Sequence, residues 1–450
     1  MRLPNLLATR RGRLAAFFLL YLTEGIPSGF SGTAVATQMR RQGLDPAVIG
    51  TFVGALYLPW AIKWAFGPFV DVLSIDRWGR RRLWIVLTQT MMAVTLLVAM
   101  GIDFKTNLPL FTALIVIHNV FAATQDVAID ALAVDVLHGG ERGLANGLMF
   151  AGQFLGTALG GSGVLLLTAT IGFRPSFLLV AGVIAAVTIL VPLGMTEPAG
   201  PARVRAAGAW FQAVGAELAS FARGTVAAFR GTRAASLAIL LALLPMGAYT
   251  LSLSLQSNLA VELGLTDRQI GTLGFISTAL AAVFCIVGGW LSDRYGRRRT
   301  LAIFIAGTTV PVFILATQLQ RFGWILPVDP SMGHRPAAGP ELVVLFWALT
   351  LTYSIFQGLM YGVGTAIFMD VTTPRVAASQ FTAYMALTNV VYSYSSTWQG
   401  HATARWGYPV TLALDGVFGL VCLLVLPFMG VLRHAEAPPP GAAVPERVGP

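Results

Sequence analysis

The chain has 450 residues and a formal net charge of +10, yet only 11% of its residues are charged and 56% are hydrophobic. A soluble globular domain carries roughly 25% charged residues, so a large soluble core is excluded. The apolar runs are too long for one, and the basic residues fall between those runs instead of forming the single face that nucleic-acid binding needs.

In chain order, segments long enough to cross a bilayer, which takes about 20 predominantly apolar residues, lie near 14–37, 46–70, 82–101, 108–136, 143–168 and 173–194. A second set lies near 234–259, 268–292, 299–318, 341–370, 376–402 and 407–431. Arg10, Arg11 and Arg13 ahead of the first run have the look of a secretion signal, but Glu24 and Pro27 interrupt that run and no cleavage site follows. It is read as a retained helix. The second and seventh segments carry the most polar residues. Cys285 and Cys422 both sit inside apolar runs and predict buried, inert thiols in place of a disulfide.

The pattern predicts an all-α polytopic membrane protein of two six-helix halves, residues 1–194 and 234–433. Between them, 195–233 forms a polar linker. Its stretch 208–230 places Trp210, Phe211, Val214, Leu218 and Phe221 on one side, as expected of a helix lying on the membrane surface. The Pro-rich tail 434–450 is expected to be unstructured. The loops on the side of the two termini hold most of the Arg and Lys residues, which predicts cytoplasmic N- and C-termini.

A repeat supports the two-half reading. Gly67 and Asp71 follow the second segment, and Arg77, Gly79, Arg80 and Arg81 come next. After the eighth segment stand Gly289, Asp293, Arg294, Gly296, Arg297 and Arg298. Glycine permits close helix approach, an aspartate at a helix end can face a neighbouring N-terminus, and the arginines hold the loop on an anionic leaflet. On the residues alone, a topology signal is the alternative to any further role. Both copies resemble the G-x-x-x-D-R-x-G-R-R signature of the major facilitator superfamily, and that resemblance implies that they take part in conformational gating; the second copy fits throughout, while the first is split by an insertion between Asp71 and Arg77.

Charges inside predicted spans are costly and need a reason. At 1.5 Å per residue, Asp126 and Glu24 lie roughly 15–16 Å deep, and Lys63 and Asp130 roughly 10–12 Å deep. Asp126 and Asp130 are four apart and share a helix face with Asn119. Two carboxyls so close cannot both ionise cheaply. Asp126, Asp130, Glu24 and Lys63 are therefore the candidates for proton coupling, against the alternative of a structural ion pair. His118 is a weaker candidate for a proton relay. Asp135 lies nearer the surface and is assigned to the loop.

The second half carries neutral polar and aromatic residues in place of acids. Tyr353, Gln357 and Tyr361 recur at every fourth position of the tenth segment. Tyr249, Ser252 and Gln256 share a face of the seventh, and Asn389 and Tyr392 lie on the eleventh. With Asn119 and Gln125, the residues Tyr249, Gln256, Tyr353, Gln357, Tyr361, Asn389 and Tyr392 are candidate substrate-binding groups. Interhelical hydrogen bonding is the alternative.

The run Ala123-Thr124-Gln125-Asp126, then Asp130, Asp135 and Glu141-Arg142-Gly143, resembles the peptide–acetyl-CoA transporter branch of the major facilitators, which includes AmpG-type muropeptide permeases and siderophore importers. Glu24-Gly25-Ile26-Pro27 and Leu58-Pro59-Trp60-Ala61-Ile62-Lys63-Trp64 match that branch too. The resemblance implies a secondary active transporter of the bacterial inner membrane, not an enzyme, working by alternating access. It implies a muropeptide-like solute and proton symport, without cofactor, metal or nucleic acid, and in a monomer. A siderophore or acyl-CoA-type transporter, or a non-transporting sensor on the same fold, are the alternatives.

Overall fold

The computed structural model describes residues 5–72, 79–138, 142–197, 210–330, 338–372 and 377–429. Every regular element among them is a helix. Among the described residues, nine helices are long and apolar enough to cross a membrane by themselves. In the first half these are Arg10–Arg41 (span 1), Arg81–Met100 (span 3), Leu108–Val136 (span 4), Leu144–Thr168 (span 5) and Phe173–Leu190 (span 6). In the second they are Asp267–Tyr295 (span 8), Arg297–Arg321 (span 9), Pro340–Asp370 (span 10) and Tyr408–Phe428 (span 12).

The remaining three spans depart from that simple form, each for a legible reason. Span 2 is the bent pair Pro46–Ala61 and Lys63–Val70, turned by 43°. Pro59 cannot donate to the helix and crowds the turn before it, so the chain tightens and then bends at Ile62. Span 11, Ala377–Trp406, has 30 residues, about 45 Å of helix, but carries Gln380, Asn389, Ser393, Ser395, Ser396, Gln399 and Thr403. Span 7 corrects the sequence reading of one continuous helix. It consists of Arg233–Leu243 and Ser254–Glu262 with an unwound stretch between them. Pro245 and Gly247 break it, and Gly247 takes φ +82°, a left-handed conformation that suits glycine.

The unwound stretch stays in the bundle because its backbone finds partners. Asp415 Oδ2 of span 12 accepts from the N–H groups of Tyr249 (2.7 Å) and Thr250 (2.9 Å). Thr308 Oγ1 accepts from Ala248 N–H, and the Tyr353 hydroxyl donates to the Ala248 carbonyl.

The packing repeats between halves. Spans 1 and 5, 3 and 4, and 3 and 6 pair in the first half; spans 7 and 11, 9 and 10, and 9 and 12 pair in the second. Among the described residues, the main seams between the halves are span 2 with span 11, span 5 with span 8, and span 1 with span 7, which also touches span 2. Glycine brings the first of these to backbone contact. Gly50 faces the Ser396 carbonyl and Gly400, and Gly54 faces the Ser393 carbonyl. In the second seam, Gly271 and Gly274 face Ser162. All of these positions lie in the half of the bundle away from the chain ends, here termed the distal face.

The linker contains the helix Trp210–Gly231. It packs against spans 2 and 11, with the Phe229 ring 5.2 Å from that of Tyr384. The side chains of Trp210, Phe211 and Phe221, and the tail 434–450, lie outside the described residues.

Candidate functional site

The charged residues predicted inside the spans come together. The bend in span 2 places Lys63 against span 4, where its Nζ donates to Asp126 Oδ2 at 2.8 Å. The side chain of Asp126 is 6% exposed and that of Lys63 17% exposed. Asp130, one turn along the same face, is exposed and accepts from the Tyr21 hydroxyl at 2.5 Å. Glu24 on span 1 is buried and accepts from Gln153 Nε2 of span 5 at 2.5 Å, while its other carboxylate oxygen meets no hydrogen-bond donor among the described residues. Three carboxyls therefore share one lysine, all within electrostatic reach of one another.

This arrangement has a definite chemistry. An ammonium paired with one carboxylate is neutral, and the two further carboxyls exceed it in charge when both ionise. In surroundings of low dielectric such an excess is costly, and a bound proton relieves it. Trp60 bounds the site: the lysine ammonium lies 5.8 Å from its ring centre, and its indole N–H donates to Asn119 Oδ1 at 3.1 Å.

The second half faces this cluster with aromatic groups. Tyr361 is 39% exposed, lies within electrostatic reach of Lys63 and Glu24, and packs edge-on against Phe154 of span 5. Towards the distal face, the rings of Tyr57, Tyr392 and Tyr249 follow in series, tilted against one another at 5.3 and 5.1 Å, crossing from one half to the other. Gln256, Gln357 and Asn389 are half-buried, and Asn389 donates to the Met385 carbonyl.

Two candidates are placed differently from what the stripe pattern suggested. Gln125 is fully buried; its amide donates to Thr23 Oγ1 at 3.1 Å, in a network continued by Gln89 and Thr188. Tyr353 is fully buried and supports the unwound part of span 7. Both hold helices together instead of facing open space. His118 is likewise buried, with Nδ1 3.1 Å from both Thr95 Oγ1 and the Met92 carbonyl. The sequence reading missed Tyr21 and Gln153. Their only signal was position: Tyr21 lies three residues before Glu24, and Gln153 belongs to a polar interruption of span 5.

The two copies of the glycine–arginine motif sit at the face nearest the termini. Gly79 and Gly296 adopt φ of +85° and +91°, each capping the start of the next helix. The Arg81 guanidinium donates to the Val70 carbonyl at 3.2 Å and to Asp135 at 3.4 Å. Asp135 is thus the last-turn acid of span 4 and belongs to this cluster, not to a loop. Arg297 pairs with Asp370 at 2.6 Å and with Asp293 at 3.5 Å. Arg294 lies 5.9 Å from the Trp290 ring, and Arg298 is half-buried. Gly67 opens the last turn of span 2. Arg77 and the side chains of Asp71 and Arg80 lie outside the described residues.

Among the described residues, ion pairs at this face stay within one half, whereas those at the distal face join the halves. Arg40 of span 1 donates to Glu262 of span 7 at 2.6 and 2.9 Å. Arg41 pairs with Asp267, which also accepts from Gln38 (2.9 Å) and Thr168 (3.2 Å). The distal face is therefore sealed by charge as well as by glycine. No group of three or more potential metal ligands occurs among the described residues.

The family model of the Major Facilitator Superfamily matches residues 14–252 and 237–449. The chain is 27% identical over 429 residues to the anhydromuropeptide permease of Escherichia coli K12, covering 92% of this chain and 79% of that one. It is 23% identical to a Rickettsia conorii protein carrying the name transporter AmpG 4, covering 94% and 96%. The fold matches the inward-open xylose transporter XylE of E. coli with a TM-score of 0.69 at 14% identity, covering 95% of this chain and 98% of that one. With helices, repeat and family model in agreement, the chain is a multi-pass membrane protein that belongs to the major facilitator superfamily of transporters.

Proposed function

We propose that this transporter is a proton symporter that imports a muropeptide-like solute across the bacterial inner membrane, with both termini cytoplasmic. The observation that carries the reading is the buried Lys63–Asp126 pair with Asp130 and Glu24 beside it. Three carboxyls against one lysine form a site where a proton replaces missing positive charge, which is what coupling requires. The similarity to an anhydromuropeptide permease supports the substrate class.

The described geometry supports an inward-facing state, sealed by Arg40–Glu262 and Arg41–Asp267 and with Asp130 exposed below the seal. In the cycle, opening the distal face separates those pairs and admits solute and proton together. The solute would lie between the carboxyl cluster and Tyr361, with Tyr57, Tyr392 and Tyr249 above it. Closure then presents both to the cytoplasm. Uptake of labelled anhydromuropeptide into proteoliposomes under an imposed pH gradient tests the proposal. It predicts gradient-driven accumulation that Asp126→Asn removes. Accumulation indifferent to the gradient refutes proton coupling, and its absence for this solute refutes the substrate.

A further inference from the structure

A crevice of ≈ 1100 Å³ opens on the flank of the bundle, between spans 2, 11 and 12, in the distal half. Its walls are almost wholly apolar: Leu58, Leu414 and the edge-to-face pair Trp398–Phe418, whose rings are 5.4 Å apart, line it. At its distal end stand His401 and Arg405, both exposed. Arg405 makes no ion pair among the described residues, and no acidic residue lines the crevice. From Val390 to Arg405 span 11 runs about 22 Å, somewhat more than the roughly 15 Å of hydrocarbon in one leaflet. The cation thus stands at headgroup depth while the trough follows the acyl region.

We infer that this crevice binds one anionic phospholipid of the distal leaflet, with its phosphate at Arg405 and His401 and an acyl chain along the trough. Charge complementarity selects the anionic headgroup, and the match of apolar length to one leaflet selects a lipid over a soluble anion. Arginine suits phosphate because its planar fork donates in pairs.

The position gives the lipid a consequence. The crevice straddles the seam between the halves: Leu58 belongs to the first half, and His401 Nε2 of the second lies 3.3 Å from Thr51 Oγ1 of the first. Ser393 and Thr397, which also line the crevice, are the residues that Gly54 approaches across that seam. Parting the halves at the distal face would carry Leu58 and Thr51 away from span 11 and so take the crevice apart. A lipid bound there prefers the sealed state and shifts the population towards it, by as much as its affinity differs between states.

The test uses the full-length protein in phosphatidylcholine nanodiscs with and without phosphatidylglycerol. Native mass spectrometry reads retained lipid, and spin-label distances across the distal face read the seal. Wild type retains phosphatidylglycerol over phosphatidylcholine and shows a larger sealed population when it is present. Arg405→Ala loses about tenfold in that preference, the weight of one charge-assisted hydrogen bond, and loses the lipid-dependent shift. Leu414→Trp fills the trough and has the same effect with the cation intact, while Arg321→Ala at the same face, away from the crevice, changes neither. Equal retention of both lipids by wild type, or an unchanged preference in Arg405→Ala and Leu414→Trp, overturns the inference.

Discussion

Removing Arg40 should unseal the distal face. Its guanidinium donates to Glu262 Oε1 and to the carbonyls of Leu44 (2.8 Å) and Val328 (2.6 Å). Glu262 also accepts from the Tyr408 hydroxyl at 2.5 Å and from Val328 N–H at 2.8 Å. The two side chains are 3% and 0% exposed. Deleting one partner of such a pair leaves the other charge buried, at a cost of about 3–5 kcal/mol. The remaining bonds to Glu262 place the expected cost near the lower figure. That penalty falls on the sealed state alone, because an opened face hydrates the carboxylate. About 3 kcal/mol is roughly a hundredfold in the equilibrium between states. Spin labels at Lys105→Cys and Gln320→Cys, exposed on opposite halves, report it in a background lacking Cys285 and Cys422. Arg40→Ala should convert a short-distance distribution into a predominantly longer one. The neutral double variant Arg40→Gln/Glu262→Gln should fall between, since no charge is stranded. A distribution in Arg40→Ala identical to that of wild type refutes the reasoning.

Further outcomes follow from the same geometry. Gly400→Val forces a side chain onto the Pro46 carbonyl and Gly50, so it should open the distal seam and lower maximal uptake about tenfold or more, with solvent labelling of distal cysteines increased. Asp415→Ala strands the N–H groups of Tyr249 and Thr250 and the Gln399 amide. At about 1–3 kcal/mol for each buried unpaired group, the detergent-solubilised protein should lose several degrees of melting temperature, and Asp415→Asn should recover part of that loss. Lys63→Gln leaves Asp126 without its cation, and gradient-driven uptake should fall about a hundredfold or more, measured in the same vesicles as Asp126→Asn.

The spans were legible because each is a run of apolar residues of membrane length, and the two arginine-rich turns declared the repeat. The carboxyl–lysine cluster was legible because charge in such runs is rare enough to single out. Its inner partners, Tyr21 and Gln153, were not, since a tyrosine or glutamine in a span costs little and carries no flag. The unwound part of span 7 had its signal in Pro245 and Gly247, but hydropathy averaged over the segment hid it. The distal gate has a subtler trace. Arg40 and Glu262 stand 222 residues apart, the same offset as Gly67 and Gly289 in the repeat. Equivalent positions of two related halves meet where a pseudo-two-fold axis passes, as in an isologous contact. Opposite charges at repeat-equivalent helix ends were therefore a readable prediction of the gate. Asp415 had no such trace, because its partners are backbone groups freed by a helix break.

The central claim is that the cluster around Asp126 couples proton movement to solute uptake. The most direct measurement is accumulation of labelled anhydromuropeptide in proteoliposomes acidified outside, compared between wild type and Asp126→Asn, with solute binding measured on both. The account predicts accumulation above equilibrium in wild type, and in the variant binding that persists without accumulation. Equal gradient-driven accumulation in the two proteins would contradict it.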